Sequence, residues 1–385
     1  MIARTPEKFR ESGVDVQVQT KVEEADSKKQ VLRLSDGTAL SYDILVLGTG
    51  TTPFIPNVPG VELEGVFTLK ELDDAFRIKT HLKDGKCRKA IIVGAGFIGI
   101  EMAEALKNLQ IDTHMIGRSP YPAMRWDPEF AKLILDEMTA NGVQFFPGMG
   151  FTAISEGRDY RLCLETSGGK MEADMILIAL GVRPNIKLAN DLGLQIGTTG
   201  AIKVDFSQHT SKEGVYAVGD CCEVYHLVSK KWVHIPLGDI ANKQGRVAGS
   251  NIGGGSMIFR GVVGAQAFKI FNLEAAATGL NESEASASGY HPVSVMIWGN
   301  AIARSMPGEK RLGIKLVADR STGKLLGAQA VGVMGAVSRI NILSCALWSG
   351  MNLDEVAYLD FAYAPPFSGA WDPVHVAAQE LLKKL

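Results

Sequence analysis

The segment that most constrains this chain is residues 90–101, Ala-Ile-Ile-Val-Gly-Ala-Gly-Phe-Ile-Gly-Ile-Glu. The apolar run Ile91-Ile92-Val93 enters a glycine turn, Gly94-x-Gly96-x-x-Gly99. Beyond it Ile98, Met102, Ala105, Leu106 and Leu109 recur at helical spacing. The turn thus lies between a strand and a helix, the context that gives an otherwise weak motif its weight. Only glycine lets the backbone approach a pyrophosphate this closely, and a helix N-terminus supplies N–H groups and partial positive charge. Gly94, Gly96, Phe97, Ile98, Gly99 and Glu101 are therefore expected at a bound dinucleotide.

The same unit carries a sign of which dinucleotide. An NAD site of this kind ends its second strand with Asp or Glu, which binds the ribose 2′-hydroxyl. Here the second strand reads Asp112-Thr113-His114-Met115-Ile116 and ends in Gly117-Arg118-Ser119. An acid would repel a 2′-phosphate, whereas a guanidinium pairs with it. Arg118 and Ser119 are read as binding NADP in preference to NAD, with NAD as the alternative.

At 385 residues the chain exceeds one ordinary domain. Its 46% hydrophobic content supplies a sizeable core, and its net charge of −2 argues against nucleic acid or an anionic membrane as partner. Apolar runs such as 175–182 are too short to span a bilayer, and residues 1–9 show no secretory h-region. The five cysteines have no CxxC or disulfide-framework spacing. That pattern suits the reducing cytoplasm. No metal site is expected.

Along the chain, Thr5-Pro6-Glu7 reads as a helix start. Val14, Val16 and Val18 alternate as in a strand, and Val31–Leu34 meets Asp36-Gly37, a hairpin signal. The continuous run Ile44-Leu45-Val46-Leu47-Gly48-Thr49-Gly50 is expected to be a strand buried on both faces. Its parallel partner is expected far along the chain, at Val215-Tyr216-Ala217-Val218-Gly219-Asp220. Residues 175–185 read as another buried strand and turn, with Gly181 at the turn and expected at the bound NAD(P), and Gly253-Gly254-Gly255-Ser256 as a domain boundary. Beyond it lie half-buried strands near 293–297, 312–317 and 325–331, and helices over 336–348 and 374–385. The expected architecture is α/β, with two doubly wound dinucleotide-binding domains and an α+β domain. Residues 1–70 and 185–257 form the first domain, whose opening βαβ unit is absent. Residues 71–184 form the second, and residues 258–385 the third.

Leu47-Gly48-Thr49-Gly50, the fingerprint at 94–99, Gly181-Val182-Arg183-Pro184-Asn185 and Tyr216-Ala217-Val218-Gly219-Asp220 together resemble the FAD-dependent pyridine nucleotide-disulfide oxidoreductases. Pro236-Leu237 and Ala241-Asn242-Lys243-Gln244-Gly245-Arg246 are similar to that family's helix beneath the flavin. The tail, Ala362-Tyr363-Ala364-Pro365-Pro366-Phe367-Ser368-Gly369-Ala370-Trp371-Asp372-Pro373, resembles that of coenzyme A-disulfide reductases and their NADH oxidase, peroxidase and polysulfide-reductase relatives. The resemblance implies FAD held by Thr49, Gly50, Gly219, Asp220, Ala241 and Lys243, with Asp220 on the ribityl hydroxyls, and a homodimer made by residues 258–385. It implies electron transfer from NAD(P)H through FAD to a small-molecule disulfide, persulfide or polysulfide. Tyr363 is then the catalytic residue, its phenol donating to a leaving thiolate.

The chain departs from the family in three places. The N-terminal glycine loop for the FAD pyrophosphate and the redox cysteine have no counterpart, and Cys221-Cys222 is read as packing behind Asp220. Trp371 stands where a lysine suits a coenzyme A phosphate, so the resemblance leaves open whether coenzyme A itself is bound. Two alternatives follow: an NAD(P)H oxidase or peroxidase on the same scaffold, and a truncated, inactive NADP-binding dimer. Expressed from Met1, the chain is expected to show little disulfide reductase activity.

Overall fold

The computed structural model describes residues 4–83, 85–308 and 310–385. The chain forms two compact units. One comprises Met1–Thr51, Pro184–Val224 and Trp232–Arg260, and the other Thr52–Arg183, Tyr225–Lys231 and Gly261–Leu385.

In the first unit, strands Val22–Asp26, Val31–Leu34 and Ala39–Ser41 form an antiparallel meander, with Asp36-Gly37 turning the second hairpin. Leu45–Leu47 pairs in parallel with Val215–Ala217, bridging some 170 residues of sequence as expected. The expectation of two buried faces fails. Leu45 and Leu47 point into a core with Ala189, Leu192, Ile202 and Cys221, but Ile44 is 45% and Val46 42% exposed. This parallel sheet has only two strands and is covered on one side. Val14–Val18 forms no strand either, because three alternating valines find no partner to pair with. Helix Gly238–Ile252 completes the unit and buries Ile240, Gln244, Val247 and Ala248. The unit runs on to Arg260, a few residues beyond the glycine boundary read at 253–256.

The second unit holds a five-stranded parallel sheet in the order Val66–Phe67, Met175–Ile178, Lys89–Val93, Asp112–Gly117, Gln144–Pro147. Ile91, Ile92, Met115, Ile176 and Leu177 are fully buried, as strands sandwiched between layers must be. Each such side chain stabilises the fold by roughly 1.5–3 kcal/mol. Val66–Phe67 hydrogen-bonds to Met175–Ile178, so residues 52–70 belong with this sheet and not with residues 1–51, where the sequence division had placed them.

The same unit carries an antiparallel sheet of Gln266–Ile270, Leu273–Gly279, Leu325–Gly332, Arg311–Asp319 and Pro292–Asn300, in that order. Helix Ala336–Ser349 packs on its inner strands and helix Pro373–Leu382 on its outer pair. The last helix ends at Leu382, three residues short of the reading to 385. Among the described residues, no helix is long and apolar enough to cross a membrane.

Candidate nucleotide and flavin sites

Helix Phe97–Asn108 begins at Gly96, which adopts an extended conformation at the N-cap. The turn before it is closed by the Gly94 N–H donating to the Ile116 carbonyl, 3.0 Å away. Side chains on Gly94 or Gly99 would overlap the protein backbone, at Ala179 and Gly94 respectively. A side chain on Gly96 would meet no protein atom within 4 Å. The protein's own packing therefore requires two of the three glycines, whereas the third leaves open space at a helix N-terminus. That arrangement fits a pyrophosphate.

That space opens into a cavity of about 440 Å³ lined by Gly94, Gly96, Arg118, Ser119, Tyr121, Met149, Phe151 and Gly181, among others. Its size is that of a ligand site. Arg118 is exposed at the end of strand Asp112–Gly117, and among the described residues it has no hydrogen-bond or ion-pair partner. A guanidinium held at the rim without an internal acid suits an external phosphate. Gly181 takes a φ of +96° and its carbonyl accepts the Phe54 N–H at 2.9 Å. A larger groove of about 510 Å³, between Trp298 and Arg311, carries none of the predicted residues.

Four predicted residues lie elsewhere, Gly99 among them, buried against the Gly94 carbonyl. The Phe97 ring turns inward and packs on Trp126 and Phe268, with ring centroids 5.6 and 5.2 Å apart, so only its backbone faces the turn. Ile98 and Glu101 are exposed along the helix and do not line the cavity. Although the residue is exposed overall, partial desolvation of its carboxyl, and then the nearby Glu104, raise the Glu101 pKa.

In the first unit, Gly219–Cys221 makes a single 3-10 turn at the end of strand Val215–Ala217. Gly219 has a φ of +78° and would bring a side chain against Ala241. Its N–H donates to Gln244 Oε1 at 2.9 Å, and Gln244 Nε2 donates to the Glu223 carbonyl. Gln244 is 1% exposed; sequence reading passed over it, although it lies within the segment quoted for the helix. Lys243 is turned away and pairs with Asp239 at 2.9 Å on the exposed helix face. His234 Nε2 donates to the Asp220 carbonyl at 2.8 Å and holds the turn from the other side. Thr49 donates to the Asn185 carbonyl at 2.7 Å, and Gly50 has a φ of +64° with open space beside it. The Thr51 hydroxyl is buried and, among the described residues, lacks a partner. An orphaned hydroxyl, an open glycine and a carboxylate at a strand end fit the ribityl part of a flavin dinucleotide.

Cys221 and Cys222 are both buried and free. They donate to the carbonyls of Val218 and Gly219, each at 3.3 Å, and pack in the core with Leu47 and Ala217. The hydrogen bond from Cys222 pulls the Cys221 thiol down to about 6, against burial and with help from Thr49 and Gly50. Tyr363 is 54% exposed in the segment before the last helix.

Residues 2–245 match the model of the pyridine nucleotide-disulphide oxidoreductases, and residues 265–374 match that of their dimerisation domain. The chain is 37% identical over 381 residues to an NAD(P)H sulfur oxidoreductase (CoA-dependent) of Pyrococcus furiosus, covering 98% of this chain and 85% of the relative. It is 34% identical over 391 residues to an NADH oxidase of Methanocaldococcus jannaschii, covering 100% and 87%. The structure of an NAD-dependent persulfide reductase from A. fulgidus superposes with a TM-score of 0.95 at 37% identity, covering 99% of this chain and 71% of that one. With both family models matched, this chain belongs to the pyridine nucleotide-disulphide oxidoreductase family, and it is an NAD(P)H-dependent oxidoreductase.

Proposed function

We propose that this chain, as a homodimer, passes electrons from NADPH through FAD to a small-molecule disulfide, persulfide or polysulfide. The observation that carries the reading is the open space at Gly96 with the unpartnered Arg118 at its rim. It occurs in a chain 37% identical to a sulfur oxidoreductase. FAD, when bound, accepts a hydride and hands on the electron pair. The helix N-terminus at Gly96 binds the pyrophosphate of NADPH, and Arg118 with Ser119 holds its 2′-phosphate. The Asp220 carboxylate accepts the ribityl hydroxyls, and Gln244 keeps the Gly219 turn in shape. Tyr363 donates a proton to the departing thiolate. The exposed Trp371 offers a ring and no charge, which suits an acceptor without a coenzyme A phosphate. The match to the dimerisation domain supports the homodimer.

A second reading, an NAD(P)H oxidase, is favoured by the 34% identical NADH oxidase. One assay separates them. Flavin-loaded protein is mixed with NADPH under anaerobic conditions and given polysulfide or the aryl disulfide DTNB, and in parallel with oxygen alone. Turnover with sulfur acceptors is expected to exceed turnover with oxygen, at a low absolute rate. The reverse order establishes the oxidase, and flavin-loaded protein that binds NADPH and turns over neither acceptor refutes both.

A further inference from the structure

The segment that carries Tyr363 is tied down on its C-terminal side by one buried arginine, and on its N-terminal side by His375. Arg339, on helix Ala336–Ser349, is 6% exposed. Its Nε and Nη2 donate to Asp372 Oδ2 at 3.1 and 2.8 Å. The same Nη2 donates to the carbonyls of Ala301 at 2.9 Å and Phe367 at 3.2 Å. Ser368 Oγ adds a third donor to Asp372 Oδ2 at 2.8 Å, while Oδ1 caps the last helix by accepting the Val374 N–H at 3.0 Å. On the far side of Tyr363, His375 Nε2 bonds to the Leu359 carbonyl at 2.8 Å and the His375 ring stacks on Phe361. The Ala303 N–H donates to the Pro365 carbonyl at 2.9 Å. The backbone is thus held at 359, 365, 367 and 372, while the Tyr363 side chain points out from the arc between them. Gly335 makes room for this: it has a φ of +80°, and a side chain there would strike the Arg339 guanidinium.

We propose that Arg339 is a positioning residue for the acceptor half of the reaction, fixing the arc that presents Tyr363 through Asp372, Ser368 and the carbonyls of Ala301 and Phe367. This rests on the reading of Tyr363 as the proton donor. A buried ion pair is weak evidence for stability alone, because desolvation offsets its attraction. A bidentate fork that also binds two loop carbonyls does fix geometry.

The test uses Arg339→Lys, which keeps the charge and loses the fork, in flavin-loaded protein. Amide exchange over 359–371 is expected to rise about tenfold, with 90–117 unchanged. Turnover of DTNB is expected to fall about tenfold, while flavin reduction by NADPH and its KM stay at wild-type values. In a Tyr363→Phe background, Arg339→Lys should cause no further loss of turnover. Additive losses, or unchanged exchange over 359–371, overturn the proposal. If Tyr363→Phe alone turns over normally while Arg339→Lys loosens the segment, the tyrosine reading falls and the anchoring stands. Should Arg339→Lys fail to fold, Ser368→Ala removes one bond to Asp372, and its exchange over the same arc decides by the same criterion.

Discussion

The carbonyl of Gly94 fills the space into which a side chain on Gly99 would project, so the first turn of the nucleotide helix packs directly on the loop that precedes it. Gly96, between them, has no such neighbour. Gly99→Val should therefore destabilise the protein by about 1–3 kcal/mol through overpacking. Gly96→Val should change stability by less than about 0.5 kcal/mol, as surface changes do, and abolish NADPH binding. Thermal melts and titration calorimetry separate the two effects; unchanged affinity in Gly96→Val removes the pyrophosphate from this turn.

Arg118→Ala should weaken NADPH and spare NADH. Losing one charge-assisted contact costs about 1.5–3 kcal/mol, roughly tenfold or more in affinity. Calorimetry with both nucleotides checks this, and equal losses for the two remove the 2′-phosphate role.

His226 is buried, and burial first, then the nearby Arg125, pushes its pKa down to about 4. Unfolded, it titrates near 6.5. Between pH 6.5 and 4 the unfolded chain binds a proton that the folded one excludes, so stability falls as pH falls through that window. The loss amounts to about 3 kcal/mol at most. His226→Gln should flatten the stability profile between those pH values in denaturant titrations; an unchanged profile assigns the pH dependence elsewhere.

Cys221 combines a low pKa of about 6 with complete burial. A thiolate is the reactive form, but it reacts only where a reagent can reach it. Iodoacetamide at neutral pH should label the exposed Cys345 in the native protein and leave Cys221 untouched until denaturant is added. Mass spectrometry of the native adduct reads this, and rapid native labelling at Cys221 contradicts its place in the core.

Lys315 is buried on strand Arg311–Asp319 and reaches Glu282 at 2.8 Å, Asp127 at 2.9 Å and Glu129 at 3.2 Å. Burial works against its charge, but hydrogen bonds to Glu282 and Asp127 outweigh burial and hold its pKa up. It joins the start of helix Pro128–Ala140, at Asp127 and Glu129, to the antiparallel sheet. Lys315→Met leaves carboxylates partly buried without their cation, and should cost about 3–5 kcal/mol in denaturant unfolding. A loss below about 1 kcal/mol would mean that water replaces the lysine.

The sequence by itself determined the strand–glycine–helix unit, the cation at the end of its second strand and the long-range pairing of 45–47 with 215–217. These are legible because a 3.6-residue period, a glycine turn and an apolar run closed by glycine are local demands of the backbone. Tertiary structure alone decided which glycines the protein's own packing requires, since that depends on whether Ala179 and Gly94 stand behind the turn. It also turned Phe97 inward onto Phe268, set Lys243 outward, buried Gln244 under Gly219, and brought Arg339 to Asp372 across 33 positions. Those outcomes follow from partners distant in sequence, because a side chain's direction and burial are fixed by what packs against it and not by its own spacing.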